Sequence, residues 1–541
     1  MSQKIRKSIA LMLGTAIISM PMPTYASGFL NIVITADPKL ESPAVEPEIS
    51  ESEAPVAEPE IIEPEPPVVE PPIVELPVVS EELDLETFGQ TKIQKITKNN
   101  MDMLNDEVSS ISRYAFVPKR VIFEEDDILY VVDVASINKT IPVTDSETNY
   151  THQIDNWIDH AVIIDGFNVH NLEKVSSQEI PLKLPIFAGF HAGEDFNFIL
   201  SGQSQEKNMT IANGVPKESW EEDLNLEIIR VDKFSKEFNR LGSTRINSAN
   251  IFTVSPFESG TTSMVTNGNN LIIHSGREML ENKDDGINHQ AQLTIDIDID
   301  TMTHTNPLKN WNQPNYVSHS FNQFAKYDGD QPILLDLGDA YPRSVVITKY
   351  GKPDAEESWR YETIDAFKIP GTIGANQTGV TVGGFEISEN NYLTAINAIN
   401  YDLATGFNSY EIEGLTKEER DIIILVTNKE NEETQEVKLT DYEDTNTLGG
   451  TPKLVSIGNN QFMVLWNEFT GCIYKKNVFG QFEITIKGQN LKYVIIDENG
   501  TKLSEIKTFT EGKLSQYVQP IKIGNKVVWV AGENYYSIFL N

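Results

Sequence analysis

The chain has 541 residues, 39% of them hydrophobic and 23% charged, enough apolar material for several domains or for one large repeat fold. Its 80 acids against 43 bases give a net charge of −37, which argues against nucleic acid or an anionic membrane surface as the main partner. A single cysteine, Cys472, excludes an internal disulfide framework and any zinc site built on several thiolates.

Residues 1–26 have the three parts of a secretory signal. Lys4, Arg6 and Lys7 form a basic start and Ile9 to Met20 a short apolar stretch; Pro21 and Pro23 precede Thr24-Tyr25-Ala26, a small-residue cleavage site. The alternative is an uncleaved anchor continuing through the apolar Phe29–Ala36; no cysteine follows that would take a lipid. The expectation is export to an extracellular or envelope-associated location, with no membrane span left after cleavage. Residues 27–89 read as a disordered acidic linker. Its portion 37–88 holds 11 of the 27 prolines and 16 acids against one base, Lys39. Proline favours extended polyproline II and like charges stretch it further, so these 52 residues could reach roughly 160 Å. Either a spacer or an inert tail fits that composition. Without the linker and the signal, the rest of the chain still carries −25.

From Gln90 onward, β-branched and aromatic runs alternate with Gly, Asn and Asp. One hairpin recurs: an apolar run, a tight polar turn, then a stronger apolar run such as Ile128-Leu129-Tyr130-Val131-Val132 or Phe462-Met463-Val464-Leu465-Trp466. The turns centre on Asp126, Asp195, Gly268, Gly329, Asn390, Asn459 and Asn525, at spacings of 69, 73, 61, 61, 69 and 66 residues. A second strand pair follows most of them, as at Leu226–Val231, Gln290–Asp300, Val345–Lys349, Asp421–Thr427 and Tyr493–Leu503. Four antiparallel strands per repeat of this length make a propeller blade.

On this periodicity the chain resembles the seven-bladed β-propeller superfamily, of a secreted bacterial type, over residues 90–541. The alternative, a pair of β-sandwiches, does not repeat at a fixed period. Too few residues follow Asn525 for a complete last blade, so the segment near 91–97 is the candidate to supply its outer strand and remove an exposed edge. Residues Asn99–Ile111 read as a short helix.

The resemblance implies that loops joining the second to the third strand, and one blade to the next, open on one face, the usual ligand face. Five long loops fall there: 133–160, 201–225, 274–289, 396–420 and 467–490. They carry Trp157, Trp220, Phe407, Tyr410, Tyr474 and Phe479, suited to stacking on sugars or protein side chains or to packing their own loops. The densest polar cluster is in blades 3 and 4: His274, Arg277, His289, His319, Gln323, Asp339, Tyr341 and Arg343. Three chemistries fit. His274, His289 and His319 with Gln323 could hold a divalent metal, the one cofactor the set suggests. Arg277 and Arg343 could clamp a carboxylate while a histidine acts as base, with Pro342 holding Arg343 towards that ligand or towards Asp339. Or the group could be a buried network locking two blades together. Asp296, Asp298 and Asp300 share one strand face, where a solvated face is favoured over a calcium site. Cys472 reads as incidental.

Two readings follow. The first is a secreted, monomeric binding module offering a loop-built face to an extracellular protein or glycan. The second is a carbohydrate-active enzyme, a lyase or hydrolase, working at the His/Arg rim. Some propeller lyases for uronate sugars use a metal held by histidines and glutamine, to which His274, His289, His319 and Gln323 are loosely similar in residue type. The absence of an evident pair of glycosidase carboxylates on the rim favours binding over hydrolysis.

Overall fold

In a computed structural model of the chain, the described residues are 88–96, 120–138, 141–144, 151–154, 157–203, 225–251, 253, 255–257, 260–281, 288–308, 317–354, 361–408, 410–478, 480–515 and 517–540. The signal expected at 1–26, the linker up to residue 87 and the helix expected at Asn99–Ile111 lie outside them. The chain divides into units 1–81 and 82–541, and every described residue is in the second.

Seven antiparallel sheets follow one another along the chain, each built on four strands, with a two-residue strand added in blade 3 and another, Leu448–Gly449, in blade 6. Blade 1 is Arg120–Glu125, Ile128–Asn138, Trp157–Asn168 and Lys174–Pro181. Blade 2 is Ile186–Ala192, Asn197–Gly202, Glu227–Phe234 and Arg240–Asn247. Blade 3 is Thr262–Asn267, Asn270–Glu281, Asn288–Asp298 and the short Thr303–His304, with Ser255–Pro256 added on its inner side. Blade 4 is Ser320–Asp328, Gln331–Gly338, Ser344–Pro353 and Tyr361–Lys368. Blade 5 is Val380–Ile387, Asn391–Ile399, Arg420–Asn428 and Thr434–Lys438. Blade 6 is Lys453–Gly458, Gln461–Thr470, Gly488–Asp497 and Lys507–Phe509. Blade 7 is Ile521–Ile523, Lys526–Ala531, Asn534–Phe539 and, from the other end of the described chain, Thr91–Lys95. This is a seven-bladed β-propeller.

The turn chemistry explains the register. Asp126 and Asp127 have φ of 53° and 61°, and Asn459 and Asn460 have 54° and 52°. Those are the left-handed values that a two-residue hairpin turn demands and that Asn and Asp tolerate best. Gly268, Gly329 and Gly524 take the same role. Each turn fixes which side chains of the second strand face which neighbour, and those strands are the most buried; Asn391–Ile399 is buried at every position. The cores lie between blades. Val132, Ile164, Phe187 and Ile199 join blades 1 and 2; Leu200, Val231, Leu271 and Ile295 join blades 2 and 3; Leu335, Ile347, Val382 and Ile396 join blades 4 and 5. Between blades 3 and 4 the apolar cluster shrinks to Ile272, Ala325, Leu334 and Tyr350, flanked by a few half-buried side chains. Polar bonds fill that seam.

The ring closes at blade 7. Thr91 pairs with Ile538 and Lys95 with Asn534, so the strand Asn534–Phe539 has no open edge. The fold begins slightly before residue 90: Phe88 is buried against Tyr493, and the Gly89 amide donates to the Phe539 carbonyl at 2.9 Å. A buried ion pair adds a second tie. Arg120, fully buried, grips Asp133 through Nε at 2.6 Å and Nη2 at 3.1 Å, and its Nη1 donates to the Gly532 carbonyl of blade 7 at 3.0 Å. Removing one partner of such a pair leaves a buried charge without compensation.

Two outcomes are expected from thermal and chemical unfolding. Deleting 90–98 lowers the melting temperature sharply while deleting 37–85 leaves it nearly unchanged; equal losses would contradict closure by this strand. Asp133→Ala destabilises by about 3–5 kcal/mol, the range for an orphaned buried charge.

Candidate functional site

The polar seam starts from a position that recurs. Seven residues after the turn centres Asp126, Gly268, Gly329 and Asn390 stand Asp133, Ser275, Asp336 and Asn397, all buried in the second strand of their blade. Each bonds the first strand of its own blade or its lead-in. Asp133 takes Arg120; Ser275 Oγ donates to the Thr261 carbonyl at 2.8 Å; Asp336 accepts from Ser320 Oγ at 2.5 Å; Asn397 Oδ1 accepts from Thr381 Oγ1 at 2.6 Å. A polar group here can be buried because a neighbouring strand always meets it.

At the seam this device reaches across to the next blade. His274 lies in the middle of its strand, not at the end, and is fully buried. Its Nδ1 is 3.0 Å from Thr294 Oγ1 and its Nε2 is 3.0 Å from Asp336 Oδ2 of blade 4. An ionised carboxylate only accepts, so Nε2 carries the proton on that bond. The chain of bonds continues through Ser320, whose hydroxyl accepts from Gln323 Nε2 at 2.5 Å. Thr261 Oγ1 accepts from the Gln323 amide at 2.7 Å and donates to its carbonyl at 3.0 Å. Six side chains and the Gln323 backbone thus tie blade 3 to blade 4.

This changes the expected roles. Both ring nitrogens of His274 are engaged, and Gln323 spends its Nε2 on Ser320 while its Oε1, the atom a metal would take, accepts from Thr261 Oγ1 at 3.3 Å, so neither is placed as a ligand of a shared metal. Arg277 is no rim residue: its strand runs on to Glu281, paired on both sides, and the fully buried guanidinium donates to the Leu308 carbonyl at 3.0 Å. His289 lies in the strand Asn288–Asp298, and its side chain is outside the described residues. Among the described residues no three His, Cys, Asp or Glu side chains gather as a metal site. Arg343 is held otherwise than for a ligand. Its Nε donates to the Pro370 carbonyl at 2.8 Å, Nη1 to those of Asp339 and Ala375 at 2.9 and 2.5 Å, and Nη2 to that of Gln377 at 2.6 Å. At least four of its five N–H groups are spent on the connection into blade 5, and its bond to Asp339 is to the backbone.

His319 and Asp339 do come together. His319 has φ of +54°, an unusual value for a side-chain-bearing residue, held by its amide donating to the Gln290 carbonyl at 2.6 Å. Its Nδ1 is 2.9 Å from Asp339 Oδ1; Asp339 is fully buried, while the imidazole remains 26% exposed at the loop-bearing face. Tyr341, 46% exposed, lies in the same short loop. A carboxylate that fixes one imidazole nitrogen sets the tautomer of the other.

The loops divide as their sequences allowed. Phe407 packs on Tyr401 with ring centroids 5.9 Å apart and beneath the Arg343 guanidinium, and Tyr474 packs edge-on against Phe482 at 5.8 Å. Tyr410 is 49% exposed. Trp220 and Phe479 and the side chain of Trp157 lie outside the described residues. The loops of blades 5 and 6 carry the hairpins Gly406–Phe407 with Ile412–Glu413 and Ile473–Lys476 with Phe482–Thr485, joined by a Lys476–Glu411 bridge of 2.9 Å. Cys472 is buried beneath its hairpin with Leu448 and Phe469, and burial pushes its thiol up, away from reactivity. Asp298 accepts from the Thr301 amide and hydroxyl and so shapes its turn, and Asp300 is exposed. Asp336 was the missed residue. A lone acid inside Ile333-Leu334-Leu335-Asp336-Leu337 signals a buried partner, because no apolar strand buries a carboxylate without one.

No family model matches the sequence, and no curated protein matches it. Solved structures align with its fold. The Neurospora crassa Pan2 WD40 domain is 9% identical, covering 83% of this chain and 95% of its own, at a TM-score of 0.35. The oligogalacturonate lyase of Vibrio parahaemolyticus is 10% identical, with 75% and 98% covered and a TM-score of 0.36. The GH43 endo-arabinanase of Bacillus licheniformis is 9% identical, with 73% and 99% covered and a TM-score of 0.27. Such likeness carries no argument about activity.

If the seam is scaffold, His274→Ala leaves Asp336 Oδ2 buried without its imidazole partner and costs about 3–5 kcal/mol of unfolding free energy. The loss is the same with or without chelator. A loss that appears only when metal is present would restore the metal reading.

Proposed function

We propose that the protein is an exported binding module whose loop-bearing face takes a macromolecular ligand, a protein or a glycan. The observation that supports this is where apolar side chains are left in water. Tyr341, Ile373, Leu403, Tyr410, Ile473 and Val478 are all exposed, Val478 at 90%, and all lie in loops of blades 4 to 6 that open on one face. On the tight-turn side such residues, Val175, Leu241 and Leu503, are scattered singly over three blades. Exposed apolar side chains concentrated in the loops of neighbouring blades of a rigid scaffold mark a contact surface. The aliphatic weight of the hairpin tips favours a protein over a sugar, since sugars stack on aromatic faces.

A second reading has its own support. The His319–Asp339 pair, an oriented and partly exposed imidazole over a buried carboxylate, is the arrangement of a general base, and it sits on the same face.

A photo-crosslinking residue at position 478 or 410 of the full chain, in the producing cells, is expected to trap a discrete adduct, and one at 175 none. Retardation in gels containing arabinan, xylan or polygalacturonate, lost in Tyr341→Ala with Tyr410→Ala, would point to a glycan ligand instead. New reducing ends or unsaturated uronates, abolished by His319→Ala, would favour the enzyme. Adducts at 175 as frequent as at 478 would contradict the binding face.

A further inference from the structure

The seam between blades 3 and 4 holds a second polar group towards the tight-turn face, and its chemistry is not that of a lock. Asp296, on the third strand of blade 3, turns its carboxylate between the blades, where Tyr327, Tyr350 and Tyr361 of blade 4 gather with Asn270 and Asn306. The carboxylate is short of donors. Oδ2 accepts from the Tyr350 hydroxyl at a long 3.3 Å, and Oδ1 is covered and makes no well-formed hydrogen bond among the described residues, with the Asn270 amide the nearby donor. Nor does any Lys, Arg or His among them form an ion pair with it, whereas Asp133, Asp232 and Asp165 each have a cation within 2.8 Å. Burial accordingly pushes the Asp296 carboxyl up, only partly offset by Asn270 and Tyr350. Burial, with the nearby Asp296 charge, raises all three phenols, Tyr327 to about 12.

A half-buried carboxylate without a counter-ion is costly unless something positive joins it. The surroundings say what kind of cation. One carboxylate and a few phenols fall short of the six or more oxygens that calcium or magnesium takes. Aromatic rings, in contrast, attract an organic cation through their negative faces. Tyr350 and Tyr361 pack edge to face, at 76° with centroids 5.1 Å apart, and Tyr327 packs against the same cluster; Tyr327, Tyr361 and Asp296 are only partly buried. We propose that Asp296 with Tyr327, Tyr350 and Tyr361 forms a binding site for a monovalent organic cation, a methylated or alkyl ammonium group. The carboxylate supplies the charge and the rings exclude water around it. The strongly acidic chain draws such cations towards it at long range.

The test titrates the full chain with methylammonium and tetramethylammonium chloride against sodium chloride at equal ionic strength, by calorimetry and by thermal unfolding. Saturable heat and a rise in melting temperature are expected for at least one ammonium ion and not for sodium. Asp296→Asn should weaken binding at least tenfold. Tyr361→Leu should weaken it severalfold, and Tyr361→Phe, which keeps the ring, should retain it. Should Tyr361→Leu not fold, the Asn and Phe variants decide alone. No saturable binding of either ion, or binding undiminished in Asp296→Asn, would overturn the proposal. So would an Asp296→Asn chain that is merely more stable at neutral pH while the wild type ignores ammonium, since Asp296 would then be a neutral carboxyl of the core.

Discussion

A sheet with two apolar faces has to bury both, and every other feature of this molecule follows from that requirement. A single four-stranded blade cannot do so. Seven of them can, provided that the last meets the first, so closure is the condition on which the whole interior depends. Thr91–Lys95 completes the last blade, and the Arg120–Asp133 pair with its bond to Gly532 fixes blade 1 against blade 7 from the inside. Desolvating an ion pair gains little in net stability against an apolar alternative. What it supplies at a joint between distant segments is a bond that only one register satisfies.

The same reasoning separates scaffold from surface. The polar side chains of the upper seam and of the connection into blade 5 are met by strands or by backbone carbonyls. Asp336 and His274 meet each other, Asn397 meets Thr381 and the Gly449 carbonyl, and Arg343 is ringed by carbonyls. Side chains with catalytic reputations are thereby spent on architecture. What remains for an incoming partner is set by the loops: the apolar hairpin tips of blades 5 and 6, Tyr341, and His319, an imidazole that keeps a wet edge over a buried carboxylate.

Much of this was legible in the sequence, because periodicity reports on backbone geometry. Five of the seven turns take left-handed φ, at Asp126, Gly268, Gly329, Asn459 and Gly524, which few residues other than Gly, Asn and Asp accept. The polar concentration in blades 3 and 4 was visible too, as was the possibility that it locks two blades. Its roles were not. Whether His274 points to solvent or to Asp336 depends on which strand packs opposite, and no local pattern carries that information. Arg277 was placed in a loop because the end of an apolar run looks like the end of a strand; the ladder continues because Ser255–Pro256 and Ala291 pair with it from both sides. Phe88 was read as the end of a linker, and only the surface formed by Tyr493 and Lys507 makes it core.

The claim that the buried histidine of the seam is architecture is most directly tested by a double-mutant cycle on unfolding. His274→Gln, Asp336→Asn and the double variant are to be compared with the wild type. Contact through a buried hydrogen bond predicts a coupling free energy of about 0.5–3 kcal/mol, with each single variant destabilised and the loop-face adducts unchanged. Additive and small losses, together with loss of ligand capture in either single variant, would place the pair in the functional site and contradict the account.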